Sequence, residues 1–495
     1  MTPARLDPRT PVVVAVGQLD VPADDATPET TEPVDLIARA LRLAADDAAV
    51  DGLLDALDSI QIVAMLSWRY ADPGGLVAQR LGIAPADTAV STMGGNSPQA
   101  LVNRAALDIA AGRVDAVAIA GCESWRTRQA ARRHGDELPW TPADPDTTPA
   151  RVVGGELEMS HPAELAHGIS MPVQVYPLFE TALRAASGRT PVDHLVHIAE
   201  LWAGLSRVAA SNPHAAVRRA FSAEEIATPS PDNRWIGHPY TKWLVSNDRV
   251  DQAAAVVVCS VEKAEALGIA RDRWVFPLAG TDTAEPTVSL RWELHRSPAM
   301  RVGGTRCLEL AGLDVDDVAH LDVYSCFPSA VQIAADEIGI GLDRQLTVTG
   351  GLTFAGGPWN NYVSHSIATM VEVLRDDAGS VGFVTANGGL ISKHAFGVYS
   401  TEPPADGFRH DSPQALVDAA PHRVVLTDHE GAVTVEAYTV MHGRDNAPEQ
   451  ALVATLTDEG RRAWATSNAP DVMAVLVAEE GCGRRGEVRA GELRL

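Results

Sequence analysis

The sequence lacks any apolar run long enough to cross a membrane. Its apolar stretches, such as residues 253–261, are far shorter than the ~20 residues that a spanning helix needs. Residues 1–19 place Arg5, Asp7 and Arg9 ahead of a short apolar run, which is neither the order nor the length of a signal peptide. These absences predict a cytoplasmic protein with no membrane span.

Cysteine is scarce, and it is never arranged as C-x-x-C. The five cysteines are odd in number and scattered along the chain: Cys122, Cys259, Cys307, Cys326 and Cys482. This spacing argues against a disulfide framework and against a structural zinc site. We therefore expect reduced thiols and no metal.

Positive charge is also in short supply. Lysine and arginine together number 40 against 65 aspartates and glutamates, which gives a formal net charge of -25. Such a chain would repel a phosphate backbone unless one face were strongly basic. Nucleic acid is therefore not an expected partner.

Strand and helix patterns alternate through much of the chain. A β-branched run at residues 11–17 is typical of a buried strand, and helical spacing of apolar residues follows from Val34 to Ala45. Further strands are predicted at residues 59–66, 88–92, 114–120, 251–261, 320–324 and 381–386. Further helices are predicted at residues 73–81, 97–111, 262–267, 299–311, 328–338 and 364–374. The alternation predicts βαβ units and a mostly parallel sheet, laid out as two similar α/β halves.

These patterns divide the chain into six segments. Residues 1–122 begin the N-terminal half, residues 123–246 are an inserted loop region, and residues 247–270 complete that half. Residues 271–400 form the C-terminal half, and residues 401–420, rich in proline, aspartate and glycine, are a linker. Residues 421–495 alternate apolar and polar residues between turns, which predicts a small β-rich domain similar to an oligonucleotide- and oligosaccharide-binding (OB) barrel.

Several loops, in order, resemble those of one enzyme superfamily. They are VSTMGGNSPQA (90–100), VAIAGCES (117–124), NDRVDQAAAV (247–256), DVYSCF (322–327), TGGLTFAGGP (349–358) and ANGG (386–389). Together they resemble the nucleophile loop, the H-D-C-F or N-E-A-F loop, the G-H-P loop and the C-x-G-G loop of the thiolase superfamily. The resemblance covers about the first four-fifths of the chain. The chain is most similar to the thiolase-like proteins of type one, which resemble sterol-carrier thiolases and carry an additional C-terminal domain.

The resemblance implies duplicated thiolase-like halves and an acyl-CoA substrate, with coenzyme A part of that substrate and no separate cofactor. Thiolase chemistry needs a thiolate nucleophile, a histidine that lowers its pKa and a second cysteine that moves a proton. At the positions that match these three residues, this chain carries Gly94, Gly357 and Ala386. The usual two-step acyl transfer therefore does not carry over.

Four other side chains in or near these loops are candidate catalytic residues: Cys326, Tyr324, His394 and His365. Each has a plain structural alternative, which is a buried core thiol for Cys326, a packed aromatic ring for Tyr324, and a satisfied structural histidine for His365. His394 is the better histidine candidate, because glycine turns at strand ends commonly border α/β active sites. Candidate substrate-binding residues are those whose backbone can approach a thioester oxygen, although tight turns alone would also explain them: Gly94, Gly356, Gly357, Asn387, Gly388 and Gly389.

Three kinds of function follow. The first is an acyltransferase-type enzyme of lipid metabolism that acts on acyl-CoA thioesters without the standard cysteine, or a retro-aldolase that uses tyrosine and histidine as acid and base. The second is a catalytically inactive acyl-CoA-binding protein, because a fold does not guarantee its family's chemistry. The third is an interaction protein whose C-terminal domain recruits a protein partner. The chain is expected to be a monomer or a homodimer.

Overall fold

The computed structural model describes residues 6–495, and its first half is built on a six-stranded sheet. The spatial order is β1 (Pro11–Asp20), β8 (Asp251–Ser260), β4 (Ala116–Ser124), β2 (Ser59–Ile62), β3 (Asp87–Ser91) and β5 (Arg151–Val153). β8 runs antiparallel to both of its neighbours, and the remaining pairs are parallel. β5 comes from the inserted region and covers the free edge of β3.

The second half contains a five-stranded sheet. Its spatial order is β10 (His320–Asp322), β11 (Val381–Gly388), β12 (Lys393–Ser400), β9 (Phe276–Ala284) and β13 (Arg409–Asp411). β12 is antiparallel to β11 and to β9, so both sheets are mixed, and the expectation of a mostly parallel sheet was only partly right. The four-residue turn at 389–392 explains this, because a parallel pair would need a long crossover connection. β13 lies within the predicted linker, which therefore adds an edge strand to the sheet.

Helices cover both sheets and fill the space between them. α3 (Ser97–Ala110) and α13 (Tyr362–Asp376) contact strands of both sheets and each other. The first sheet's outer face carries α1 (Pro33–Ala48), α2 (Pro73–Leu81) and α9 (Val261–Leu267), and the second sheet's outer face carries α10 (Pro298–Ala311) with α11 (Pro328–Ile338) beside it. Alternate side chains of β8 reach different cores, since Val257 packs with the α1 side and Val258 packs between the sheets.

Helices are the main regular structure of the insertion. It contains α4 (Trp125–His134), α5 (Pro162–Ala166), α6 (Pro172–Ser187), α7 (Pro191–Ser211), α8 (Ala223–Ala227), β6 (Trp235–Gly237) and β7 (Tyr240–Thr241). The Ser222 hydroxyl accepts a hydrogen bond from the Glu225 N–H, and the Glu225 carboxylate accepts one from the Ser222 N–H, which caps α8. α7 contacts the short helix α12 (Gly351–Phe354), so the insertion packs on the second half.

The C-terminal residues form a closed five-stranded barrel. Its strands are β15 (Gly431–His442), β16 (Pro448–Leu456), β17 (Arg462–Ser467), β18 (Arg485–Arg489) and β19 (Glu492–Arg494). They close in the order β15-β16-β17-β19-β18-β15, and α15 (Pro470–Ala478) lies between the third and fourth strands. This barrel confirms the predicted small β-barrel-like domain at the C-terminus. The short elements α14 (Gln414–Asp418) and β14 (Val425–Leu426) lead into it.

None of the helices between residues 6 and 495 combines the length and the apolar character that crossing a membrane requires.

Candidate functional site

The glycine loop before α3 meets the C-terminal end of β11 at close range. Gly94 has a φ of +150°, which favours glycine, and its N–H donates to the Asn360 side-chain oxygen at 3.0 Å. A Cβ added to Gly388 would lie 3.0 Å from the Gly94 Cα. Glycine is therefore required for these two segments, from different halves of the fold, to touch.

Tyr324 reaches the same loop from the segment after β10. Its N–H donates to the Thr385 hydroxyl at 2.9 Å, and its ring meets Tyr362 edge-on with ring centroids 5.5 Å apart. A Cβ added to Gly95 would overlap the Tyr324 hydroxyl and the Asn387 carbonyl oxygen. Gly95 thus gives the phenol room beside the loop that the resemblance identifies as the nucleophile loop.

Cys326 contributes a thiol to a cluster around Asn387. The Asn387 side-chain nitrogen lies 3.9 Å from the Cys326 sulfur and donates to the Tyr176 hydroxyl at 3.2 Å. The Tyr176 hydroxyl in turn donates to the Gly389 carbonyl at 3.3 Å. We call Tyr176, Tyr324, Cys326 and Asn387 the Asn387 cluster. Tyr176 comes from α6 in the insertion, where no motif marked it in the sequence.

Burial sets the protonation of this cluster. It raises the pKa of the Cys326 thiol to about 12, and it raises the pKa values of Tyr324 and Tyr176 well above their ordinary range. Cys326 and Tyr324 are each 7% exposed. At neutral pH the thiol and both phenols are therefore protonated, so they are able to donate hydrogen bonds but are poor nucleophiles.

His394 stands beside the cluster without bonding to it. It pairs with Asn387 in the antiparallel ladder of β11 and β12, so the two side chains share one face of the sheet. Neither ring nitrogen has a hydrogen-bond partner among residues 6–495. Burial, and then the Arg291 guanidinium, lower its pKa to about 3. His394 is thus a neutral imidazole, and no hydrogen bond to a described residue links it to Cys326 or Tyr324.

His365 lies elsewhere. It is on α13, its Nδ1 is 3.1 Å from the Gln18 side-chain oxygen, and burial lowers its pKa to about 3. It lines a cavity of about 10 Å³, room for one water molecule, together with Gln252 and Gly356. A Cβ on Gly356 would overlap Gln252. The structure does not bring His365 or Gly356 to the Asn387 cluster.

Gly357 is held in a backbone contact. Its N–H donates to the Asn247 carbonyl at 2.8 Å, and a Cβ at this position would lie 3.3 Å from the Asn247 carbonyl oxygen and from the Ser246 Cβ. The space beside Gly357 is therefore filled by the segment that precedes β8, and a histidine side chain would displace it.

A larger cavity of about 470 Å³ runs along α3 on the other side of the glycine loop. Its wall includes Asn96, Arg104, Asp282, Lys393 and backbone or side-chain atoms of His394, but no member of the Asn387 cluster. The volume lies within the range of small-molecule sites. Among the residues that the structure describes, no group of three histidine, cysteine or acidic side chains could hold a metal ion.

Comparison with known proteins agrees with this architecture. Residues 413–492 match a family described as the thiolase-like protein type 1 additional C-terminal domain. The crystal structure of a monomeric SCP2-thiolase-like protein type 1 from Mycobacterium smegmatis is 31% identical, with 99% of each chain covered and a TM-score of 0.84. The chain belongs to the family of SCP2-thiolase-like proteins of type 1. No curated protein sequence gave a significant match.

More distant structures share the thiolase fold with this type 1 protein. The dimeric peroxisomal thiolase of Saccharomyces cerevisiae is 16% identical, with 80% of this chain and 99% of that chain covered and a TM-score of 0.58. The Ltp2-ChsH2(DUF35) aldolase is 18% identical, with 80% and 98% covered and a TM-score of 0.60. At these identities the likeness shows the fold alone.

Proposed function

We propose that this type 1 thiolase-like protein binds acyl-CoA thioesters at the Asn387 cluster and does not transfer the acyl group through a cysteine. The observation that carries this proposal is that the Tyr324 hydroxyl and Asn387 meet at Gly95, with the Cys326 sulfur 3.9 Å from the Asn387 side-chain nitrogen, and that burial keeps the phenol and the thiol protonated. Neutral O–H, S–H and N–H groups gathered in a buried site are suited to hold a carbonyl oxygen. Acyl-CoA binding would give the protein a place in cytoplasmic lipid metabolism.

Acyl transfer through Cys326 is disfavoured because the reaction needs charged groups that burial opposes here. The reaction requires a thiolate and a protonated base, but burial raises the pKa of Cys326 and lowers that of His394. Both shifts oppose the ion pair, because each charged form is the one that burial penalises. Gly94, at the position of the family's nucleophile, offers no alternative thiol.

Retro-aldol cleavage would need a base next to Tyr324. The two histidines that could serve are His365, which lies in the small cavity on α13, and His394, which makes no hydrogen bond to Tyr324. A protonated phenol without a base can polarise a thioester carbonyl, but it cannot remove a substrate proton. The arrangement therefore favours binding over turnover.

Calorimetric titration with acetyl-CoA and with longer acyl-CoAs tests the proposal, alongside a colorimetric assay for released coenzyme A thiol. We expect saturable binding with no thiol release. Tyr324→Phe should weaken binding up to about tenfold, the effect of one lost hydrogen bond. Tyr70→Phe, which removes a hydroxyl that bonds Glu32 away from the cluster, is the matched control and should bind normally. Thiol release that Tyr324→Phe or Cys326→Ala abolishes would contradict the proposal, as would no binding at all.

A further inference from the structure

The 470 Å³ cavity has a polar end and an apolar wall. It extends beside α3 from Asn96 to Leu107, which is roughly 16 Å at 1.5 Å per helical residue. Ala100, Leu101 and Leu107 supply apolar surface from the helix, and Val153 at the end of β5 and Leu157 beyond it supply the rest. A ligand that fills this space would need an apolar body.

Lys393 supplies a buried cation at the polar end. The chain has only three lysines, and this one is 6% exposed. Its ammonium donates to the Met93 carbonyl at 2.8 Å and to the Gly155 carbonyl at 3.2 Å, which leaves one N–H without a partner. In the part of the chain that the structure describes, no carboxylate lies within ion-pair distance of the Lys393 ammonium. The negative charge of Glu156 favours the ammonium form only from a longer distance. A buried ammonium held only by carbonyl groups is a receptor for an anion.

The rest of the wall does not neutralise that charge. Asp282 is the acid in the wall, and its carboxylate already pairs with the His410 imidazole at 2.7 Å. Arg104 adds a second cation at the exposed side of the cavity, where it bonds Asp108. In a chain of net charge -25, the cavity wall thus carries Lys393 and the already paired Arg104 against one acid, Asp282.

We propose that the cavity is a second ligand site, distinct from the Asn387 cluster, which binds a medium-chain fatty carboxylate with its head on the Lys393 ammonium. The chain of the ligand lies along α3 against Leu101 and Leu107. The carboxylate completes the hydrogen bonds of Lys393, and the apolar wall is removed from water. This site does not depend on acyl-CoA binding, because the cavity wall contains no residue of the Asn387 cluster.

Calorimetric titration with decanoate and with decanol separates the head group from the chain. Decanoate should bind with at least about tenfold higher affinity than decanol, and Lys393→Gln should lower decanoate affinity by at least about tenfold while leaving decanol unchanged. Lys263→Gln, the same change at a lysine on α9, is the control and should bind decanoate as the wild type does. The proposal would be overturned if decanoate and decanol bound with equal affinity, or if decanoate did not bind. It would also be overturned if Lys393→Gln bound decanoate as tightly as the wild type does.

Wild-type protein gives a second measurement that does not depend on the variant's folding. Reductive methylation followed by peptide mass spectrometry reports on each of the three lysines separately. Decanoate should protect Lys393 from methylation and leave Lys263 and Lys242 as reactive as before. Equal reactivity of Lys393 with and without decanoate would overturn the proposal. Tyr324→Phe, which tests acyl-CoA binding, should leave the protection of Lys393 intact.

Discussion

At the scale of single residues, the absence of a side chain at Gly95 shapes the site. The Tyr324 hydroxyl and the Asn387 carbonyl both approach the position that a Cβ would occupy. Gly155 offers a matched comparison, because nothing lies within 4 Å of the position of its Cβ. Comparing alanine variants at these two positions therefore separates the effect of filling the space beside Tyr324 from the general effect of replacing a glycine.

Gly95→Ala should destabilise the protein by about 1–3 kcal/mol, because the added methyl group forces Tyr324 or the end of β11 to move. It should also weaken acyl-CoA binding. Gly155→Ala should change neither quantity. Chemical denaturation and calorimetric titration measure the two effects. A Gly95→Ala protein as stable as Gly155→Ala would show that Tyr324 is not packed against the loop.

Glu123 gives the protein a pH dependence that can be measured. Its carboxylate, 1% exposed at the end of β4, accepts hydrogen bonds from the N–H groups of Leu66 at 2.6 Å and Ser67 at 2.8 Å. Burial nevertheless raises its pKa from 4.5 to about 7. Between these two values the folded state holds a proton that the unfolded state has lost, so stability falls as pH rises through this window.

We expect the free energy of unfolding to lose up to about 3 kcal/mol through Glu123 as pH rises from 4.5 to beyond 7. Glu123→Gln, which does not titrate, should be less stable overall and should show a smaller decrease over the same range. Denaturation curves at several pH values for both proteins give the difference directly. Parallel pH profiles for the two proteins would contradict the assignment.

The sequence indicated some members of the proposed site and gave no signal for others. Tyr324, Cys326, Asn387 and Gly388 were predicted as site residues, because they fall in loops whose order resembles that of a known family. Tyr176 could not be predicted, since it lies on a helix of the insertion and reaches Asn387 only through the packing of α6. His365 occurs near a predicted loop, but a helix turns it toward Gln18 instead.

At the scale of elements, the turn between β11 and β12 is stabilised by a chain of hydrogen bonds that leads back to the C-terminal barrel. The Arg291 guanidinium donates to the Leu390 carbonyl at 2.8 Å and also to that of Ile391. The segment around Arg291 is in turn fixed by Arg462 of β17, which is fully buried and donates to the carbonyls of Ser289 at 2.8 Å and Arg291 at 2.5 Å. The added domain thus supports a turn that borders both the Asn387 cluster and Lys393.

Arg462→Met should loosen the barrel from the body. It removes the carbonyl bonds and leaves the Glu436 carboxylate without its cation, a change that costs about 3–5 kcal/mol when a buried pair is broken. We expect earlier chemical unfolding and faster proteolysis between residues 401 and 424. Arg485→Gln, which breaks an exposed pair with Asp458 on the same barrel, should show neither effect. Equal behaviour of the two variants would argue against this support.

The helices were predicted more accurately than the central strands of the second half. Helix α11 has the bounds that its pattern indicated, but β9 and β12 were not predicted, because glycine and polar residues interrupt their apolar runs. Packing requires those glycines: a Cβ on Gly280 would overlap Asn103, and a Cβ on Gly397 would overlap Gln99. Two amide side chains of α3 occupy the space beside these strands, a contact that no local pattern reveals.

At the scale of the whole molecule, the sequence predicted the parts but not how they are joined. The two halves and the barrel were foreseen from alternating patterns and from the resemblance. The pairing of β5 with β3 and the docking of the barrel depend on contacts between residues far apart in sequence, such as the Trp464 indole N–H, which donates to the Ser289 hydroxyl at 2.8 Å. The M. smegmatis relative with the same architecture is monomeric, whereas the yeast thiolase is dimeric.

The central claim is that the thiolase fold here keeps a site for the thioester without covalent turnover. Intact-protein mass spectrometry after incubation with saturating acetyl-CoA tests it most directly, on the same sample in which calorimetry has shown binding. We predict an unchanged protein mass, because Cys326 remains a protonated thiol and Gly94 cannot accept an acyl group. An added acetyl group that disappears in Cys326→Ala would contradict the account.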